Sequence, residues 1–228
     1  MTPADPNLHS TLNKYLREPV NSITHFVGIL LSIAGLVALL ILSEGDPWRV
    51  TSFAIYGASL IVLYTASTLL HSLKVRPKIE RRLRIFDHAA IFGLIAGTYT
   101  PITLITLQYD HAAWGWTLLS VAWGFALLGI VFKIVWLDAP RFLSTGLYLL
   151  MGWLSVFAIV PIASALSFGG MFWLALGGLF YSVGAVIYGL KKPDFVPKVF
   201  GYHELWHLFV LAGSACHFVM MVRYVLPG

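Results

Sequence analysis

Long apolar runs alternate with short polar punctuation along most of the chain. Seven runs stand out: Ile23–Ser43, Val50–Leu73, Ile85–Leu107, Ala112–Phe132, Phe142–Leu166, Gly169–Leu190 and Tyr202–Leu226. Each holds 21 to 25 residues. About 20 are needed to cross the hydrocarbon of a bilayer. The connections are short and rich in Pro, Gly and charge, and leave no room for a soluble domain. The pattern predicts an all-α integral membrane protein. A tail of residues 1–22 precedes a single seven-transmembrane-helix bundle over residues 23–226. No internal repeat is evident.

Composition agrees with that reading. The 228 residues are 58% hydrophobic and only 11% charged, whereas a soluble domain carries about 25% charged residues. The formal charge is +5. Its positive residues are sorted by connection, so nucleic-acid binding is not expected. The tail carries Asp5, Lys14, Arg17, Glu18 and three Pro, with no short apolar core ahead of the first run. That first run is expected to act as an uncleaved signal anchor. Cys216 is the single cysteine. It excludes an internal disulfide and a thiolate zinc cluster, and reads as a plain buried thiol.

Lys and Arg set the expected orientation. The tail and the 2–3, 4–5 and 6–7 connections hold Lys14, Arg17, Lys74, Arg76, Lys78, Arg81, Arg82, Arg84, Lys133, Arg141, Lys191, Lys192 and Lys198. The opposite side holds only Arg49 and Arg223. Thirteen against two predicts a cytoplasmic N-terminus and an external C-terminus. Trp48, Trp114, Trp116 and Trp173 then fall at outer span ends, where an aromatic belt belongs. Gly93, Gly97, Gly124, Gly129, Gly177, Gly178 and Gly184 would let helices approach closely.

On this topology four polar residues share one depth. His71 falls in the last turn of the second span, Asp87 in the first turn of the third, and His203 and His207 in the first two turns of the seventh. The two histidines are four apart and share a helical face. Ionisable groups are costly in hydrocarbon, so their convergence points to a functional site. Three imidazoles suit Zn2+: they leave it its full charge and one open position, and lower the pKa of a bound water to about 7. Asp87 can take or hold a proton of that water. Ser67, four residues before His71 on the same face, can orient a ligand or donate to an oxyanion.

A plainer reading stands beside this one: interfacial histidines facing headgroups, and an Asp87–Arg84 ion pair. Glu18, Asn21 and His25 read as a helix-start and packing network, with contact with the site as the alternative. His88 lies about 100° around the helix from Asp87. His217 lies about 15 Å beyond His207, too far to share a metal. His9 and His111 read as exposed. The basic run Lys74–Arg84 reads as a topology determinant that can also attract anionic headgroups.

Several segments resemble one family. Glu18-Pro19-Val20-Asn21-Ser22-Ile23-Thr24-His25 is similar to the opening motif of the bacterial hemolysin III proteins. These form a branch of the progestin and adipoQ receptor (PAQR) family, which includes the adiponectin receptors. Ser67-Thr68-Leu69-Leu70-His71 resembles its Ser-x3-His element. Asp87 before Ala89-Ala90-Ile91, with Gly97-Thr98-Tyr99-Thr100-Pro101, resembles its third-span signature. His203-Glu204-Leu205-Trp206-His207 resembles its His-x3-His element. The match covers essentially the whole chain, in order.

The resemblance implies a seven-helix bundle with cytoplasmic N-terminus in a bacterial cytoplasmic (inner) membrane. It implies zinc held by His71, His203 and His207, with Asp87 reaching the metal through water. It also suggests distant kinship to alkaline ceramidases, which hydrolyse a lipid amide. The chain lacks the long N-terminal extension of the animal receptors, so hormone or adaptor binding is not carried over. Three functions follow as expectations. One is a zinc-dependent hydrolase of a lipid amide or ester, involved in membrane homeostasis, with Asp87 and Ser67 catalytic and membrane lipids as partners. Another is a non-enzymatic membrane sensor with zinc as a tie between spans. The third is a channel or cytolysin, against which the apolar outer halves of the spans argue. A lipid-sized cavity reaching the metal would favour the first.

Overall fold

The structure, a computed structural model, describes residues 12, 14–196 and 199–227. His9, Lys198 and most of the tail lie outside the described residues. Seven helices among them are long and apolar enough to cross a membrane. They are α1 (Pro19–Leu42), α2 (Pro47–Ser72), α3 (Pro77–Thr106), α4 (Ala112–Val135), α5 (Arg141–Ala165), α6 (Phe168–Leu190) and α7 (Tyr202–Val225). The described residues form no strand beyond an isolated bridge between Val196 and Phe200.

Local chemistry explains the helix starts. Pro19, Pro47 and Pro77 open α1, α2 and α3, where proline's fixed φ helps and its missing N–H is not needed. Asp46 caps α2 by accepting from the Arg49 amide at 2.8 Å, and the Ser167 hydroxyl accepts from Gly170 at the head of α6. At the head of α7 the Gly201 amide donates to Glu204 Oε2 at 2.8 Å.

The seven runs read from sequence correspond to the seven helices, with two differences. The helix α3 begins at Pro77, eight residues before the apolar run. The run Pro77–Arg84 is charged but contains good helix formers, so backbone hydrogen bonding continues beyond the apolar segment. Asp87 therefore sits well inside α3 rather than in its first turn. The second difference is in α5, which tightens into a 3-10 stretch at Trp153–Ala158. Pro161 follows and cannot donate to the preceding turn. Tyr99 of α3 repairs the break: its hydroxyl donates to the Gly152 carbonyl at 2.7 Å and accepts from the Ser155 amide at 2.9 Å.

The extensive packing pairs are α1 with α2, α6 with α7, α2 with α3, and α3 with α4. The helix α1 also packs on α7, so it lies between α2 and α7. The helix α3 is the most buried of the seven, and its Phe92, Leu94, Ala96 and Tyr99 join the core with Phe53, Tyr56 and Tyr64 of α2. Leu31, Ile41, Leu128, Val160 and Phe168 are exposed, as suits surfaces meeting lipid tails.

Of the glycines expected at close contacts, four meet a neighbour. A Cβ on Gly97, Gly129, Gly177 or Gly184 would run into Ser59, Phe92, His217 or the Phe209–Trp206 pair respectively. Gly93, Gly124 and Gly178 have nothing within 4 Å. The sequence spacing could not separate the packed glycines from the open ones. Two positions on α3 provide a test. A Cβ on Gly97 would lie 2.7 Å from the Ser59 Cβ, which no rotamer change relieves. Gly97→Ala is expected to destabilise the bundle by about 1–3 kcal/mol. Gly93→Ala is expected to stabilise it by about 0.5–1 kcal/mol through helix propensity. Reversible unfolding in detergent checks both; equal effects would mean that α2 and α3 are not in close contact at Gly97.

Candidate metal centre and its cavity

Two helices deliver the three candidate ligands to one place. His71 lies in the last turn of α2, and His203 and His207 lie in the first two turns of α7. Their ligand nitrogens lie within 4.8 Å of one another. The His71 ring is 5.0 Å from that of His203 and 4.9 Å from that of His207, both edge-on. His71 and His207 are buried and His203 is half-buried. A tetrahedral zinc with 2.0–2.1 Å bonds spaces its nitrogens by about 3.4 Å, a spacing that the 4.8 Å bound admits.

A carboxylate orients one ligand. His71 Nδ1 lies 2.7 Å from Glu18 Oε2. A carboxylate only accepts, so Nδ1 carries a proton, and in the neutral ring Nε2 then has the lone pair that a metal needs. The Asn21 amide holds Glu18 in place, donating to Glu18 Oε2 at 2.9 Å and to Glu204 Oε1 of α7 at 3.1 Å. The chain just before α1 is also pinned to the end of α2, since the Glu18 amide donates to the His71 carbonyl at 2.9 Å. Burial pushes the Glu18 carboxyl up. The hydrogen bond and charge of His71, with the Asn21 amide, outweigh that and hold it near 2. A lowered carboxyl stabilises the fold above its ordinary value of 4.5, and this contribution disappears as pH falls towards 2.

Of the two readings of His25, packing alone or contact with the site, the structure shows contact. It is buried and stacks on His207, with ring centroids 3.8 Å apart. Neither of its ring nitrogens has a hydrogen-bond partner among the described residues. The shared helical face of Glu18, Asn21 and His25 was visible in the sequence. Their contact with His71 and His207 was not, because it depends on α1 lying between α2 and α7. Glu204 was missed altogether; its position inside the His-x3-His element was the available signal.

A cavity of about 650 Å³ opens onto this centre. His71, His203, His207, Asp87 and Ser67 all line it. Asp87 is half-buried. It sits beside Ser67 and within electrostatic range of His71 and Glu18. Arg84 forms no ion pair with Asp87; it pairs with Glu80 and Asp138, each at 3.5 Å. The deeper walls are apolar, with Ile91, Leu94, Ile95, Leu149, Met171 and Leu174. His217 lies at the far part of the cavity wall, its Nε2 facing the Leu174 carbonyl at 3.3 Å. His88 also lines the cavity, and its carbonyl accepts from Tyr148. His111 contacts Ser164 at 2.8 Å, away from the centre. Cys216 is buried in α7.

The fold and site define a class: a seven-helix membrane bundle with three histidines at the head of an apolar cavity. The sequence comparisons are narrower. The profile of the family described as haemolysin-III related matches residues 13–218, and the chain belongs to that family. It is 46% identical over 209 residues to "Hemolysin-3 homolog" of Bacillus subtilis (strain 168), covering 91% of this chain and 93% of that protein. It is 43% identical over 219 residues to "Hemolysin-3" of Bacillus cereus, covering 95% of each. A more distant relative, 27% identical over 212 residues, is the human "Monocyte to macrophage differentiation factor"; the match covers 90% of this chain and 83% of that protein.

The contact between Glu18 and His71 has a measurable consequence. Glu18→Gln keeps the side-chain shape but weakens the orientation of His71, and is expected to lower zinc affinity about 10–100-fold. Competition against a fluorescent chelator measures this. Unchanged affinity would mean that Glu18 serves the fold alone.

Proposed function

We propose that this protein is a zinc-dependent intramembrane hydrolase of a lipid amide or ester. The carrying observation is the cavity that joins three clustered histidines, a carboxylate and a serine to a long apolar wall. Bound by His71, His203 and His207, zinc would supply a Lewis acid that brings a water's pKa towards neutrality and polarises a carbonyl. Asp87 takes the proton of the attacking water and passes it to the leaving group. The Ser67 hydroxyl donates to the developing oxyanion. Glu18 holds His71 in the tautomer that presents Nε2. Ile91, Leu94 and Ile95 hold the acyl chain and exclude bulk water.

The proposed orientation places the N-terminus and the histidine centre on the cytoplasmic side of a bacterial cytoplasmic membrane, as the Lys and Arg asymmetry supports. The substrate enters from the bilayer. The test is turnover of fluorescent lipid amides and esters by the purified protein, before chelation, after chelation and after zinc is restored. Hydrolysis that disappears and returns with zinc supports the reading. Hydrolysis indifferent to chelation, or none across amides and esters with zinc bound, would contradict it.

A further inference from the structure

The histidine centre leaves one part of the cavity wall unexplained. Lys133, in the last turn of α4, is 1% exposed and lines the cavity. Its ammonium donates to the Ser144 hydroxyl, which is neutral. Among the described residues no carboxylate lies within 4.0 Å of it. An ammonium held out of water without a counter-ion is costly. Lysines near a membrane surface ordinarily extend to water; this one is enclosed.

Arg141 at the head of α5 is half-buried and lines the same wall. Its guanidinium lies 4.7 Å from the Tyr188 ring centre and reaches the Tyr188 carbonyl at 3.5 Å, and among the described residues no carboxylate lies within 4.0 Å of it. Arg141, Ser144, Thr145 and Tyr148 follow helical spacing along α5 and all line the cavity. The other cavity cations are paired: Arg17 with Glu18 at 3.2 Å and Glu80 at 3.0 Å, and Arg84 with Asp138 at 3.5 Å. Of the cavity carboxylates, Glu18 and Asp138 are in those pairs, and Asp87 stands with Ser67 near the histidines. Among the described residues Lys133 and Arg141 thus have no carboxylate within 4.0 Å, although the more distant Asp138 also acts on Lys133. Tyr188 links this wall to the metal centre, since its ring is also 5.6 Å from that of His203.

We infer that Lys133, Arg141, Ser144 and Thr145 form a subsite for the phosphate headgroup of a lipid whose acyl chain lies in the apolar part of the cavity. Two cations and two hydroxyls offer donors in several directions, which suits the terminal oxygens of a phosphate better than the planar pair of a carboxylate. The adjoining apolar wall supplies the reason for a lipid rather than a free anion. In naming the substrate's headgroup this rests on the hydrolase reading, but its test needs no turnover.

The test is equilibrium binding of radiolabelled dodecyl phosphate to zinc-stripped protein in dodecyl maltoside. Saturable binding is expected, with Lys133→Met weakening it about 10–100-fold and Arg141→Gln acting in the same direction. Lys133→Met should not lower the thermal midpoint of the lipid-free protein, because it removes a buried charge that no carboxylate contacts among the described residues. Inorganic phosphate and dodecyl glycerol should compete poorly. Absent binding, or unchanged binding in both variants, would overturn the subsite. Equal competition by inorganic phosphate would overturn the lipid assignment, and equal competition by dodecanoate the phosphate assignment. If dodecyl phosphate binds as expected while no lipid is hydrolysed by the zinc-loaded protein, the subsite stands and the hydrolase reading fails.

Discussion

Asp87→Asn is expected to keep about one zinc per chain and to lose lipid hydrolysis by a factor of about 10²–10⁴, the usual contribution of a general base. The asparagine is nearly isosteric but cannot take a proton from the attacking water. Metal retention is expected because the three histidines remain, their nitrogens within 4.8 Å of one another without any help from Asp87. Arg84 pairs with Glu80 and Asp138 instead of Asp87, so the substitution breaks no ion pair and its effect should not come through misfolding. Zinc content, thermal midpoint and turnover measured on the same preparation separate these outcomes. Undiminished turnover would remove Asp87 from the chemistry; lost zinc would make it a metal ligand.

His207→Ala should have the opposite signature. It removes a buried ligand and also the surface on which His25 stacks at 3.8 Å. Zinc affinity should fall further than the 10–100-fold expected when only an orienting partner is lost. The thermal midpoint should become insensitive to chelation. In the wild type, zinc at 100 times its Kd would add about 2.7 kcal/mol to the folded state, since on the proposed reading one ion would tie His71 on α2 to the two α7 histidines. A wild-type midpoint unmoved by verified metal removal would leave zinc without that tying role.

The helices and the shared depth of His71, Asp87, His203 and His207 were legible in the sequence because both are periodic or positional signals. Apolar runs mark the spans, and rise per residue sets the depth. Lateral order was less legible. Nothing in the sequence placed α1 between α2 and α7, so the contacts of Glu18 with His71 and of His25 with His207 could not be read from it. Lys133 illustrates the same limit. At the end of an apolar run it counts as a topology charge, yet the fold encloses it beside Ser144. The start of α3 was misplaced because an apolar run reports where hydrocarbon begins, whereas helical hydrogen bonding continues back to Pro77. The 3-10 stretch of α5 required knowing that Tyr99 stands opposite to satisfy the freed backbone groups.

The most direct test of the central claim, that three imidazoles hold zinc at the head of a lipid-sized cavity, is X-ray absorption at the zinc edge on the purified protein, with metal content measured in parallel. The expected result is about one zinc per chain with three imidazole nitrogens at roughly 2.0–2.1 Å, and loss of that signal in His71→Ala, His203→Ala and His207→Ala. Protein that binds no zinc under saturating conditions, or that keeps the same zinc shell after these substitutions, would contradict it.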